Sequence, residues 1–180
     1  VEHLRERYDY SGCRFVDADE TAALSGSTVF SGSVLESGAA HLHPLNYALG
    51  LARAAREAGA HLHERARVLE YGGKGPLYVR TNQGLVTADN VLIACNGYLG
   101  NLEPRVAARV MPINNFILAT EPLGDRAAEI LSKPVAVADT KFVVNYWRLS
   151  EDGRLLFGGG ESYGWTFPDL VRTVRKPMLE

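Results

Sequence analysis

The sequence predicts a mixed α/β fold, and three observations carry that expectation. Residues 44–59, PLNYALGLARAAREAG, repeat apolar side chains at helical spacing between a proline and a glycine. Residues 77–88, LYVRTNQGLVTA, alternate apolar and polar positions on both sides of Asn82-Gln83-Gly84, as a hairpin does. Residues 91–95, VLIAC, form a short continuous apolar run ahead of Asn96-Gly97, which suits a buried parallel strand.

In chain order, residues 2–10 read as a helix end, and DADETAAL (17–24) as an acidic N-cap with a short helix behind it. Residues 26–42 are rich in Gly and Ser and read as loop with extended pieces. The helix of 44–59 follows. Pro44 costs nothing in a first turn, where its missing N–H would lack a partner anyway. Leu45, Leu49, Ala52 and Ala55 mark one face, and Arg53, Arg56 and Glu57 the wetter one. Gly59 supplies the stop, because glycine enters the left-handed region without a Cβ penalty. AHLHERARVLEY (60–71) then reads as a strand segment, and GGKGP as the loop joining it to the hairpin. Residues 104–108 suit a short helix, 109–123 a strand with Pro112 near its start, and 125–133 a helix from Asp125 to Lys133. VAVAD, FVVNYWRLS and RLLFGGGES read as strands, the last two joined by a turn at Glu151-Asp152-Gly153. Residues 171–180 suit the start of a helix.

The bulk composition excludes several classes. Of 180 residues, 46% are apolar and 22% charged, enough to bury a core. A net charge of −2 offers no positive field for nucleic acid. No apolar run approaches the ~20 residues of a membrane helix, and the first residues lack a signal peptide's apolar stretch. Cys13 and Cys95 make no disulfide framework, so the expectation is a reducing cytoplasm.

Four of the five histidines stand in two His-x-His pairs, at 41–43 and 61–63. A shared zinc ion would need all ligands within about 2 Å of it. The intervening helix separates the pairs by ~22 Å at 1.5 Å per residue. The pairs therefore flank the helix, with His61 and His63 on the following strand and His43 where a loop meets the helix start. GGKGP lacks the spacing of a phosphate loop and lies between strands. The glycines of FGGGE (157–161) instead suit close backbone approach. Cys95 reads as a buried structural thiol, and no Ser-His-Asp arrangement can be argued.

Several segments in order resemble one family. GAAHLHPLNYALGLARAAREAGAHLHERARVLEY, LYVRTNQGLVTADNVLIACNGYLG, RVMPINNFILATEPL and NYWRLSEDGRLLFGGGESYG are similar to successive parts of the D-amino acid oxidase-like FAD-dependent oxidoreductases. The gamma-glutamylputrescine oxidoreductase branch is the nearest in detail. The resemblance covers residues from about 30 to 165. It implies part of an FAD/NAD(P)-binding βαβ domain joined to a mixed or antiparallel substrate sheet. The family's opening strand, its GxGxxG and its acidic partner are not in this sequence, so the chain reads as an internal fragment. The divisions implied are 1–40 for the approach to the substrate domain, 41–110 for the partial FAD domain with its hairpin, 111–165 for the substrate sheet and 166–180 for the beginning of a helix.

Carried over residue by residue, the resemblance implies cofactor-facing roles for Val68, Ala94, Cys95, Asn96 and Gly97, and for His43 and Pro44 near the flavin ring. It implies a substrate pocket at Tyr146 and Arg148, which share one strand face, with Trp147 on the other. A hydroxyl and a guanidinium there suit a small amine or amino acid, the guanidinium pairing a carboxylate. The implied reaction is oxidation of a C–N bond by hydride transfer to FAD, a cofactor that this chain alone is not expected to retain. The alternative is a stand-alone binding domain derived from the substrate half. Uncovered strand edges are expected to favour homo-oligomers.

Overall fold

The computed structural model describes residues 1–111 and 113–163, and resolves into two compact units, Val1–Pro44 with Asn114–Glu180, and Leu45–Ile113. Helices and strands are interspersed along the chain, and five of the strand pairings are antiparallel, so the architecture is mixed α/β.

In the first unit, α1 (Glu2–Tyr8) leads to β1 (Cys13–Val16), α2 (Ala18–Ser25) and β2 (Ser33–Glu36). β1 and β2 pair with Cys13 opposite Glu36 and Val16 opposite Ser33. The Asp17 side chain accepts from the Glu20 N–H at 2.9 Å, which caps α2 as its sequence implies. The later half of the unit contributes β6 (Ile113–Ala119), α5 (Arg126–Ile130), β7 (Val137–Ala138), β8 (Tyr146–Leu149) and β9 (Leu155–Tyr163). The four strands form one sheet in the order β6-β9-β8-β7.

Alternation along β8 sends Trp147 to the face that α2 covers. Its ring stacks between Phe30 and Phe157 at centroid distances of 5.9 and 6.1 Å, and its indole N–H donates to the Ser25 carbonyl at 3.2 Å. Val16, Thr21, Leu24, Ser25 and Leu131 are the buried residues here. Gly26 ends α2 at φ 70, where a Cβ would stand 1.9 Å from the Ile130 carbonyl oxygen. On the opposite face, the Tyr146 ring lies flush on Gly158, where a Cβ would meet it at 2.0 Å. The glycine run of β9 therefore serves close packing, as expected.

The second unit holds nearly all of α3 (Pro44–Glu57), followed by β3 (Val68–Gly72), β4 (Leu77–Thr81), β5 (Leu85–Ala88), a 3-10 turn at Asn96–Tyr98 and α4 (Pro104–Ala107). α3 stops as its sequence dictates. Gly59, at φ 91, donates to the Arg56 carbonyl and Ala60 donates to that of Ala55, the paired bonds of a glycine-terminated helix. β3, β4 and β5 form a meander, its turns at 73–76 and 82–84 as expected.

Four expectations are corrected. Residues 91–95 form no strand, and Leu92 is 90% exposed; a buried parallel strand needs neighbours on both sides, and none pairs with it among the described residues. Cys95 is accordingly half-buried and not enclosed. His61 and His63 are exposed and precede β3, because the chain turns at Arg65 (φ 58) before pairing begins at Val68. α5 ends at Ile130, so Lys133 lies beyond it in the following loop. The expected helix at 171–180 and Pro112 lie outside the described residues.

Candidate functional site

A cavity of about 540 Å³ opens within the first unit between residues 41–43, the segment after α5 and the β8–β9 turn. Two long hydrogen bonds hold the 41–43 loop against its walls. A ring nitrogen of His41 meets the Pro134 carbonyl at 3.3 Å, and Arg148 Nη2 donates to the Leu42 carbonyl at 3.3 Å. Arg148 Nη1 donates to its neighbour Leu149 at 3.3 Å. All three exceed the usual 2.7–3.2 Å range, and the guanidinium keeps further N–H donors. Such bonds yield readily to a carboxylate, whose charge-assisted pairing with a guanidinium is about twice as strong.

The rest of the lining mixes charge with apolar floor. Lys133 contributes a second cation, whose field reaches Glu20. Glu151 sits at the tip of a well-braced turn. There the Ser150 N–H donates to the Arg154 carbonyl at 2.9 Å, the Gly153 N–H to the Ser150 carbonyl at 3.0 Å, and the Arg154 N–H to the Ser150 hydroxyl at 3.0 Å. Glu151 itself has no hydrogen bond or ion pair among the described residues. Leu42, Leu131 and Val135 supply apolar surface.

Among the residues expected to serve the site, Arg148 and His43 come together in this cavity. Tyr146 shares a strand face with Arg148 but does not line it; its hydroxyl donates to Asn115 Oδ1 at 2.6 Å. Pro44 starts α3. Val68 opens β3 opposite Thr81, beside a bulge. Ala94, Asn96 and Gly97 are exposed, with Asn96 in the left-handed region at φ 48. Sequence reasoning put His41 in a His-x-His pair, Lys133 at a helix end and Glu151 in a turn, and gave none of them a place in this site; segments distant in sequence bring them together. Among the described residues, no group of three or more His, Cys, Asp or Glu is placed to hold a metal ion.

A second cluster lies at the edge of β1 and β2. The Glu36 carboxylate accepts from the Cys13 thiol at 2.6 Å, from the Tyr10 hydroxyl, and from the Gly38 N–H at 2.7 Å. These bonds, the thiol's foremost, hold Glu36 below the ordinary carboxylate range. Reciprocally, the bond to Glu36 pushes the Tyr10 hydroxyl up to about 12 and raises the Cys13 thiol.

The family model described as DAO, FAD dependent oxidoreductase, matches residues 1–180. The chain belongs to that family. Within it, the chain is 44% identical to a probable oxidoreductase OrdL of Rhizobium meliloti (strain 1021) over 182 residues, covering all of this chain and 42% of that protein. It is 38% identical to the gamma-glutamylputrescine oxidoreductase of Escherichia coli (strain K12), covering 97% of this chain and 41% of the relative. The chain thus spans about two fifths of the length of these curated relatives. Glycine oxidase structures from Geobacillus kaustophilus and Bacillus cereus ATCC 14579 each superpose with a TM-score of 0.69. Their identities are 17% and 16%, covering 95% and 98% of this chain and 47% and 51% of theirs; they share the fold.

Membership in the DAO family implies FAD. The usual clamp for its pyrophosphate is a parallel strand that turns through glycines into a helix N-terminus. The described residues contain no such element. At Gly97 a Cβ would meet nothing within 4 Å, so no close approach there demands glycine. That clamp is therefore not found among the described residues. Among them no helix is long and apolar enough to cross a membrane.

Proposed function

We propose that this chain is part of a longer FAD-dependent oxidoreductase that oxidises the C–N bond of an amine or amino acid, with flavin as the hydride acceptor, and that it contributes the substrate-anchoring wall. The observation that carries this reading is Arg148. It lines a cavity of about 540 Å³ with donors to spare, in a chain that belongs to the family along its whole length. A planar guanidinium with free N–H groups is suited to one end of a carboxylate-bearing substrate, which it would hold in a fixed orientation. Tyr146, braced by Asn115, sets the strand face from which Arg148 projects. His43 and Pro44, at the loop-to-helix junction, and Val68, Ala94, Cys95, Asn96 and Gly97 are assigned to surface flanking the cofactor. The phosphate clamp itself would come from elsewhere in the protein.

The E. coli relative's name specifies gamma-glutamylputrescine, a diamine amide-linked to a glutamyl group that bears a carboxylate. Substrates of that chemical type, an amine joined to a carboxylate, match a wall built around Arg148. The test is a screen of the FAD-loaded, full-length protein against amines and amino acids. Arg148→Gln should raise KM for carboxylate-bearing substrates about tenfold or more while moving kcat less. Failure to oxidise any amine would remove the reading.

A further inference from the structure

Asn96 is the one asparagine of the chain that a glycine follows, and the pair is chemically accessible. Both residues are exposed, and a Cβ built at Gly97 would meet nothing within 4 Å. The Asn96 carboxamide has no hydrogen bond among the described residues, and the Gly97 N–H makes none there either. Asn96 sits in the left-handed region at φ 48, which asparagine tolerates better than most residues but still at a cost.

Little keeps this turn closed. Its two bonds run from the Tyr98 N–H to the Cys95 carbonyl at 3.0 Å and from the Leu99 N–H to the Asn96 carbonyl at 3.3 Å. Cys95 adds no side-chain cap, and Tyr98 is 97% exposed; Leu99 is buried and anchors the far end only. A short turn with so few buried contacts opens at small cost. The chain carries its own contrast at Asp152-Gly153. There the carboxylate accepts from the Ser150 hydroxyl at 2.5 Å and from Arg154 Nε at 2.7 Å, bonds that hold it below the ordinary carboxylate range. An ionised carboxylate is a poor electrophile, and the Gly153 N–H is already spent on the Ser150 carbonyl.

We propose that Asn96 is a site of spontaneous deamidation, at which the folded protein converts this residue to aspartate and isoaspartate. The Gly97 amide nitrogen attacks Asn96 Cγ. An N–Cγ bond forms, the Cγ–Nδ2 bond breaks, and ammonia leaves with the amide proton. Water then opens the cyclic imide at either carbonyl. One water enters and one ammonia leaves, so the step needs no oxidant, reductant or enzyme. Either product places a new negative charge beside half-buried Cys95, and isoaspartate also adds a carbon to the main chain. The inference stands whether or not the protein oxidises amines.

The test is ageing of the full-length protein in mildly alkaline buffer, folded and in urea, followed by tryptic peptide mapping. Cleavage after Arg80 and Arg105 releases residues 81–105, in which Asn82, Asn90 and Asn101 are internal references. Asn82 is held, its Oδ1 accepting from the Arg67 N–H at 2.8 Å. In the folded protein Asn96 should convert first, to two products of equal mass that separate by chromatography, at a rate within about threefold of that in urea. Gly97→Ala, whose Cβ enters open space, should keep the wild-type circular dichroism and slow the conversion about tenfold or more by crowding the attacking nitrogen. Asp152 should not isomerise over the same period. Conversion of Asn96 in urea but not in the folded protein overturns the proposal, as does a Gly97→Ala rate equal to that of the wild type. Isomerisation of Asp152 as fast as Asn96 converts overturns it too, because the bonds at Asp152 would then offer no protection.

Discussion

Gly26 separates a packing cost from a backbone cost. It closes α2 at φ 70, and an added Cβ would stand 1.9 Å from the Ile130 carbonyl oxygen, a backbone atom that cannot swing away. Gly153 lies in the same unit at φ 75, but a Cβ there would meet nothing within 4 Å. Gly153→Ala should therefore cost only the left-handed penalty, ~1–2 kcal/mol. Gly26→Ala should carry that penalty plus displacement of the end of α5, ~1–3 kcal/mol for an overpacked contact, or ~2–5 kcal/mol together. Urea unfolding followed by tryptophan fluorescence measures both, because Trp147 donates to Ser25 beside Gly26. If Gly26→Ala proves no worse than Gly153→Ala, α2 does not rest on α5 as described.

Three further outcomes are expected. Spectroscopic titration should find one tyrosine ionising near 12, and Glu36→Gln should return it toward 10.0. Because neutral Tyr10 is the form that donates to Glu36, its contribution to stability is complete below 10.0 and lost as pH rises through about 12. Glu36, held below its ordinary 4.5, contributes above that value and loses its contribution as pH falls through the depressed one; Glu36→Gln should blunt the acid limb of the stability profile. Alkylation followed by peptide mass mapping should label half-buried Cys95 before Cys13, which is buried and hydrogen-bonded to Glu36; simultaneous labelling would contradict the β1–β2 cluster.

Local chemistry made part of this fold legible. Pro44, the apolar spacing behind it and Gly59 fix α3 to within two residues, because caps and periodicity are properties of neighbouring residues. Asp17 fixed α2, and Asn82-Gln83-Gly84 and Glu151-Asp152-Gly153 fixed turns, for the same reason. β1 escaped notice because CRFV is too short to show a period. VLIAC misled because an apolar run records what a segment could pair with, not whether a partner is at hand. α3 makes the same point: Leu45 and Leu49 are 61% and 59% exposed although their spacing is that of a buried face.

The site divides in the same way. Arg148 and His43 were reached through a resemblance that spans several segments, and they line one cavity. Lys133 and Glu151 stand in loops whose local sequence says only that they are wet. Their relation to Arg148 follows from the turn at 150–154 and from the hydrogen bonds that fasten residues 41–43 to Pro134 and Arg148. Tyr146 was expected in the pocket from the same resemblance, together with strand alternation. Alternation sets a face, but Gly158 and Asn115 decide where along that face the ring lies.

The most direct measurement of the central claim is an anaerobic titration of the full-length, FAD-loaded protein with candidate amines, reading loss of the flavin's visible absorbance. A carboxylate-bearing amine should bleach the wild-type flavin, and Arg148→Gln, with an unchanged oxidised spectrum, should need about tenfold more substrate for half-bleaching. A bound flavin that no amine reduces, or an Arg148→Gln titration that overlays the wild type, would contradict the account.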